Sequence, residues 1–395
     1  MKLKFRKIAY QLHLWLGLTS GLIVVIMAAT GCILVFEKEL KQWVHPERYF
    51  VEVIGKKKLP LSELSPKAER SLPEGLKIKR VVMSSDPSQT YVFRTLKMDN
   101  DALTYWGTYL YYYRVYMDPY TGKVQAVEDA KKDFFEIVLD LHRRLLLGEK
   151  IGKTITGYST LIMTIILFSG LVIWYPRKMS KSMLKGMFFI KISANWKRIN
   201  YDVHNVLGFY AVIPLLIISY SAMIWSFEDV DKWVKKTLNG SAPTEQKAKS
   251  KIPAEEFSDQ KNILDMIGNK MEKGLTDKES ALINFPRTEE GTYYAELTYD
   301  NRLYRNDQYN FDQYSGEMVK HQSYKDKNIG YGTALRERNY DLHTGSIFGM
   351  TSRIIYFLAG IIAASLPITG FIIYLNRKKK KPKHKKNKVV FPSHH

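Results

Sequence analysis

The sequence predicts an α-helical integral membrane protein: four transmembrane helices arranged as a parallel two-fold repeat, with two α+β domains outside the membrane. Three observations carry this. Four stretches without Asp, Glu, Lys or Arg (Leu14–Phe36, Thr154–Pro176, Asn205–Phe227 and Ile354–Asn376) run 23 residues each. At about 1.5 Å per residue, each is long enough to cross a hydrocarbon core of roughly 30 Å. The basic excess is confined to three segments, and the two halves of the chain match each other in order.

The charge fixes the orientation. Lys and Arg number 60 against 39 Asp and Glu, a net +21 that would invite a nucleic-acid reading. Residues 1–13, 177–203 and 377–395 together hold 20 of these basic residues and one acid, Asp202, so they carry +19 and the remainder +2. With four spans those three segments share one side, which the positive-inside rule makes cytoplasmic. The charge thus marks topology, and no nucleic-acid partner is expected; the partner of the basic tail Lys378–Lys388 is the lipid surface.

The chain then divides as follows: cytoplasmic N-terminus and first span, 1–37; first outside domain with a surface helix, 38–153; second span, 154–176; basic cytoplasmic loop, 177–203; third span, 204–227; second outside domain, 228–353; fourth span, 354–376; basic cytoplasmic tail, 377–395. Met1–Lys7 with the apolar run beyond it could read as a signal peptide, and Ala29-Thr30-Gly31-Cys32 faintly as a lipoprotein cleavage box. The run continues to Phe36 and the repeat uses all of it, so the first span is expected to stay. Cys32 is the sole cysteine, which excludes an intrachain disulfide.

A shift of 191 positions aligns Ile8, Tyr10, His13, Leu16, Gly17, Phe36 and Glu37 with Ile199, Tyr201, His204, Leu207, Gly208, Phe227 and Glu228. Shifts of 194, 201 and 200 align Asp118–Gly122 with Asp312–Gly316, Asp140-Leu-His142 with Asp341-Leu-His343, and Gly170 and Arg177 with Gly370 and Arg377. Each half reads as span, outside domain, span, and halves that begin and end on one side are parallel repeats about an axis along the membrane normal.

Within the outside domains, Lys77–Ser84, Thr90–Leu96, Tyr109–Asp118 and Lys123–Val127 read as strands, the last two joined by the turn Pro119–Gly122. Thr292–Tyr299 and Leu303–Asp312 repeat the plan, with a turn at Tyr314–Gly316. Asp133–Leu147 puts Phe134, Val138, Leu141 and Leu145 on one face, predicting a helix on the membrane surface. Asn239–Lys251 reads as a linker.

Four histidines pair through the repeat: His13 with His204 toward the cytoplasm, His142 with His343 outside. Two imidazoles at equal depth across a bundle axis have the arrangement of bis-axial haem ligation. A single histidine at a span end ordinarily snorkels or caps, and the residues alone leave both readings open. Gly17, Gly21, Gly31, Gly170, Gly208, Gly360 and Gly370 allow close approach of a flat group, or of neighbouring helices. Pro214 and Pro367 are expected to kink their helices. Arg143, Arg144 and Arg177 are candidate partners of haem propionates, Arg177 also a plain cytoplasmic anchor. His45 and His321 are candidate substrate contacts, and His384, His394 and His395 fall in the tail.

The chain resembles the PepSY-associated transmembrane helix family, which includes iron-regulated membrane proteins and ferrisiderophore reductases. The resemblance rests on Leu12–Gly17, Thr30-Gly31 before Phe36, Leu141-His-Arg143 with Leu147-Gly148, Ser169–Trp174, Asn200–Gly208, Asp341-Leu-His343 and the turns at Asp118 and Asp312. It implies a bacterial inner-membrane protein whose two outside domains are periplasmic, PepSY-like and α+β. It implies two b-type haems with His13, His142, His204 and His343 as ligands, and a reductase that releases Fe(II) from a ferric siderophore or other ferric chelate. No flavin or nicotinamide domain is expected, since Gly330-Tyr-Gly332 has Leu335 where a dinucleotide fingerprint needs Gly. Electrons would come from a cytoplasmic reductase or quinol. Two rivals remain: a non-enzymatic PepSY membrane protein that regulates or senses a periplasmic peptidase, and a haem subunit that passes electrons to a partner protein.

Overall fold

The computed structural model describes residues 3–176, 179–239, 248–252, 260–275, 280–300, 302–325 and 330–378. Arg177, most of the expected linker 239–251, the tail beyond 378 and its three histidines lie outside the described residues. Along the chain, α1 (Leu3–Val35) leads to α2 (Leu61–Arg70) and strands β1 (Arg80–Ser84), β2 (Tyr91–Met98), β3 (Tyr109–Met117) and β4 (Val124–Asp129). Helices α3 (Phe134–Arg144) and α4 (Glu149–Trp174) complete the first half. The second half runs through α5 (Trp196–Ser226), α6 (Gln260–Gly274), β5 (Ser280–Asn284), β6 (Thr292–Tyr299), β7 (Arg302–Asp312) and β8 (Met318–Gln322) to α7 (Asn339–Thr344) and α8 (Met350–Lys378).

Helices α1, α4, α5 and α8 are long and apolar enough to cross a membrane. Leu22, Ile213, Phe168 and Leu358 stand exposed on them, as side chains solvated by lipid do. Small and branched residues fill the bundle interior: Leu167 of α4, Ala211, Val212 and Leu215 of α5, and Ala359 and Ala363 of α8. Arg353 at the start of α8 holds the end of α1, donating to the Val35 carbonyl and pairing with Glu39. At the other end, Asn200 donates to the Thr369 carbonyl at 3.1 Å and Arg6 to the Tyr175 carbonyl at 2.7 Å.

The strands of both outside segments form one antiparallel sheet in the order β4-β3-β2-β1-β5-β6-β7-β8. The junction is β1 against β5, where Val82 faces Leu282 at the centre of the register. Alternation decides the faces. Val81, Met83, Phe93, Val115, Ala281, Ile283 and Ala295 point to one side, where α2 and α6 cover them with Leu64, Ala68, Ile267 and Met271. This is the main core of the outside region, and it closes across the junction between the two halves.

The surface helix is shorter than the periodicity predicts. Asp133 caps α3 by accepting from the Glu136 amide at 3.2 Å, and the helix stops at Arg144 because Leu145 and Leu146 take left-handed backbone angles, φ 56° and 59°. Helix α3 lies between the sheet and the bundle. Its Glu136 accepts from Arg114 and Tyr112 of β3, while His142 reaches α1. Helix α7 is held from two directions as well. Asp341 accepts from the β7 amides of Leu303 (3.3 Å) and Tyr304 (3.0 Å), and Asn339 donates to the Ser221 carbonyl of α5 at 2.9 Å.

Ile267 is fully buried where α6 meets the joined sheet. Ile267→Ala is expected to cost about 2–5 kcal/mol, read as a lower thermal unfolding midpoint of the detergent-solubilised protein. An unchanged midpoint would mean that this core does not hold the sheet together.

Candidate functional site

The histidines that match through the repeat come together in space. The rings of His13 (α1) and His204 (α5) lie 6.2 Å apart between centroids, with their planes at 88°. Those of His142 (α3) and His343 (α7) lie 6.1 Å apart, at 62°. Neither His13 nor His204 is at a helix end. His13 is ten residues into α1, and His204 sits on a π-helical turn, Val203–Leu207, inside α5. Such turns widen a helix by one residue and often carry functional side chains.

Each ring is held from behind by the same device. His13 Nδ1 lies 3.0 Å from the Ile166 carbonyl and 3.2 Å from Ser169 Oγ of α4. His142 Nδ1 lies 2.8 Å from the Met27 carbonyl and 3.1 Å from Thr30 Oγ1 of α1. His204 Nδ1 is 2.9 Å from Thr369 Oγ1 of α8, and His343 Nδ1 is 3.0 Å from Ser221 Oγ of α5. The Leu366 and Ile218 carbonyls complete these last two contacts.

These contacts decide the tautomer. Each hydroxyl donates its one hydrogen to a carbonyl in the preceding turn of its own helix: Thr30 to Ile26, Ser169 to Ile166, Ser221 to Ile217 and Thr369 to Ser365. Its oxygen can then only accept, so Nδ1 is the donor in all four rings. Nε2 is left bare, and two bare nitrogens cannot hydrogen-bond to each other. Burial pushes the His142 and His343 imidazoles below their ordinary range, and proximity to His142 takes His343 further, to about 3.

Small residues make room for the rings. A Cβ added at Gly31 would meet His142 Cε1 at 3.2 Å, one at Gly170 would meet His13 Cε1 at 3.1 Å, and one at Gly370 would meet His204 Cε1 at 3.2 Å. Each of these glycines directly follows the hydroxyl that holds the same ring, and Ala222 follows Ser221 in the fourth case. The glycines expected to serve one purpose therefore separate. Gly21 and Gly208 face Pro367 and Leu366, and Gly17 faces open space.

The pairs can be tested against the cofactor that the family resemblance implies. A metal held about 2 Å from one nitrogen of each ring, with each centroid about 1.1 Å further out, would separate the two centroids by about 6 Å. Both observed separations match. Among the described residues no three His, Cys, Asp or Glu side chains gather to hold a metal. A metal on either pair would take its other ligands from a group such as a porphyrin, and the residues fit haem.

His13 and the residues of α1 that hold His142, Met27 and Thr30, are 14 and 17 positions apart, or roughly 21–26 Å along the helix. That is well short of the full span length.

Other expectations fare differently. Arg144 is buried and committed to Asp140, to Glu149 at 2.9 Å and to the Tyr109 hydroxyl at 3.2 Å, so it does not serve a propionate. Arg143 is exposed beside His142 and forms no ion pair among the described residues. His45 lies 3.3 Å from Glu47, and His321 stacks on Tyr309 at 4.5 Å. Neither approaches a histidine pair. Pro214 and Pro367 lie inside α5 and α8. Reading the sequence missed Thr30, Ser169, Ser221 and Thr369, whose signal was a hydroxyl placed directly before a small residue at four sites.

Replacing Gly31, Gly170 or Gly370 with Val should displace one ring each and lower haem bound per purified chain, measured by absorbance. Gly17→Ala should leave it unchanged. Equal behaviour of all four variants would remove the packing role assigned to the three glycines.

Among curated proteins none matches the chain. The model of one family, the PepSY-associated TM region, matches residues 10–377, nearly the whole length, and the chain belongs to that family.

Proposed function

We propose that the protein is a di-haem b electron-transfer protein of the bacterial inner membrane that reduces a ferric siderophore or other ferric chelate in the periplasm. The observation that carries this reading is the pair of imidazole pairs, each about 6 Å between centroids and each ring with Nδ1–H spent on a span other than the helix that carries it. His13 with His204, and His142 with His343, would hold one haem each. Bound haem supplies one-electron redox chemistry at both depths.

The chain's own residues do the rest. The carbonyls of Met27 and Ile166 and the four hydroxyls orient the rings and keep Nδ1 protonated, the outer-shell arrangement that strengthens an imidazole ligand. The apolar layer of Leu167, Val212, Leu215 and Ala363 excludes water between the two depths. The overall reaction moves one electron from a cytoplasmic reductase or quinol to Fe(III). The resulting Fe(II) binds hard oxygen ligands less strongly and leaves the chelate.

Positive-inside charge supports cytoplasmic termini and a periplasmic sheet. The parallel repeat is supported by the matched histidines and by the β1–β5 junction, where one strand from each half pairs antiparallel. A regulatory protein without haem, or a haem subunit serving a protein acceptor, would use the same fold; the four ring-holding contacts favour haem over the first.

The purified protein should show a Soret band and two haems per chain, and His204→Ala should retain one. Absence of haem, or two haems in the variant, would end this reading. Dithionite-reduced protein should be reoxidised by ferric citrate on mixing. If no ferric chelate reoxidises it, the acceptor is a protein.

A further inference from the structure

One row of side chains crosses the sheet on the face opposite its core. Cross-strand register places Glu128, Arg114, Arg94, Arg80 and Asn284 side by side on β4, β3, β2, β1 and β5. Directly opposed like charges destabilise a sheet, and here three arginines stand on adjacent strands. Arg114 is neutralised. It pairs with Glu128 at 3.0 Å and with Glu136 of α3. Arg80 and Arg94 are not: among the described residues neither has a carboxylate within ion-pair distance. Arg80 spends only its Nε, on Asn284 Oδ1 at 2.6 Å, and the Arg94 guanidinium lies 5.7 Å from the Tyr112 ring centroid. Both are half-buried. Burial, Arg94 and Arg287 push the Arg80 guanidinium down to about 10 against the opposing pull of Tyr112 and the Glu296 carboxylate, so it stays charged at neutral pH.

The row lies on the sheet face from which Arg114 reaches α3, the helix that carries His142. Glu136, which takes Arg114 from this face, and His142 lie six residues apart on α3, or about 9 Å. A fold that keeps two guanidinium forks without an ion-pair partner on that side, at a cost to the sheet, has an arrangement suited to carboxylates.

We infer that Arg80 and Arg94 form a binding site for the free carboxylates of an anionic ferric chelate, on the sheet face opposite its core. The inference rests on the reductase reading for the identity of the ligand, and it narrows the substrate to negatively charged, carboxylate-bearing complexes. Haem propionates are the other carboxylate source near this face, and the test separates the two.

The probe is gallium(III) citrate, which has the charge and size of the ferric complex but cannot be reduced. Equilibrium dialysis against the full-length, haem-loaded protein should show binding. The double variant R80Q/R94Q should weaken it about ten- to a hundredfold, while a cationic gallium trihydroxamate and the haem content stay unchanged. If that variant does not fold, R80K/R94K, which keeps the charge but not the fork, should still bind gallium citrate several-fold more weakly. Unchanged affinity in the folded variant, equal loss of both gallium complexes, no binding by the parent protein, or loss of one haem with the arginines would each overturn the proposal. Gallium citrate bound at Arg80 and Arg94 without any reduction of ferric citrate would leave the site standing and remove the reductase reading alone.

Discussion

Everything in the candidate site depends on where the Nδ1 hydrogen of each histidine goes. Four times a Ser or Thr in a span spends its own hydrogen on its helix backbone and turns its oxygen toward an imidazole. The ring must then donate from Nδ1 and leave Nε2 free, and the second imidazole of each pair does the same. A pair of bare nitrogens offers two lone pairs and no hydrogen, so the rings have no mutual hydrogen bond. It becomes a favourable arrangement when a cation lies between them. The glycines beside three of the hydroxyls belong to this constraint, because a Cβ there would crowd the ring that the neighbouring oxygen holds.

The two pairs reach their positions by different routes. His13 and His204 belong to the spans themselves, so bundle packing sets their depth, with a π turn adjusting the aim of His204. His142 and His343 belong to short helices between sheet and membrane, and their depth is set by how those helices dock. Glu136 and Asp341 tie them to the sheet; Asn339 ties α7 to α5. The joined sheet thus acts on the outer pair from both sides, and the β1–β5 junction holds the two halves in fixed relation. A rigid connection of this kind suits a site in which each half contributes one ligand.

Much of this was legible in the sequence, and the parts that were not have identifiable causes. Four uncharged stretches specify four spans because nothing else that long stays uncharged. The histidine pairs were legible because the repeat matches His13 with His204 and His142 with His343. Thr30, Ser169, Ser221 and Thr369 were in view but silent, since a hydroxyl in an apolar helix ordinarily satisfies itself on its own backbone. These do that and hold a ring as well. The β1–β5 junction was hidden because alternation marks a strand and its faces but not the edge it joins across some two hundred residues. The fate of Arg144 was hidden likewise, its partners Asp140 and Tyr109 being neighbours only once α3 and β3 have packed. Depth was not legible from span length: 23 residues cover about 35 Å, whereas Met27 and Thr30, which hold His142, lie only 14 and 17 positions from His13 on α1.

Low-temperature electron paramagnetic resonance of the oxidised, purified protein reports which residues would hold each haem iron and how their rings are oriented. Two low-spin ferric signals, both strongly anisotropic, are expected, since the ring planes of the pairs stand at 88° and 62°. A high-spin ferric signal, a single low-spin species, or no haem signal at all would contradict that expectation.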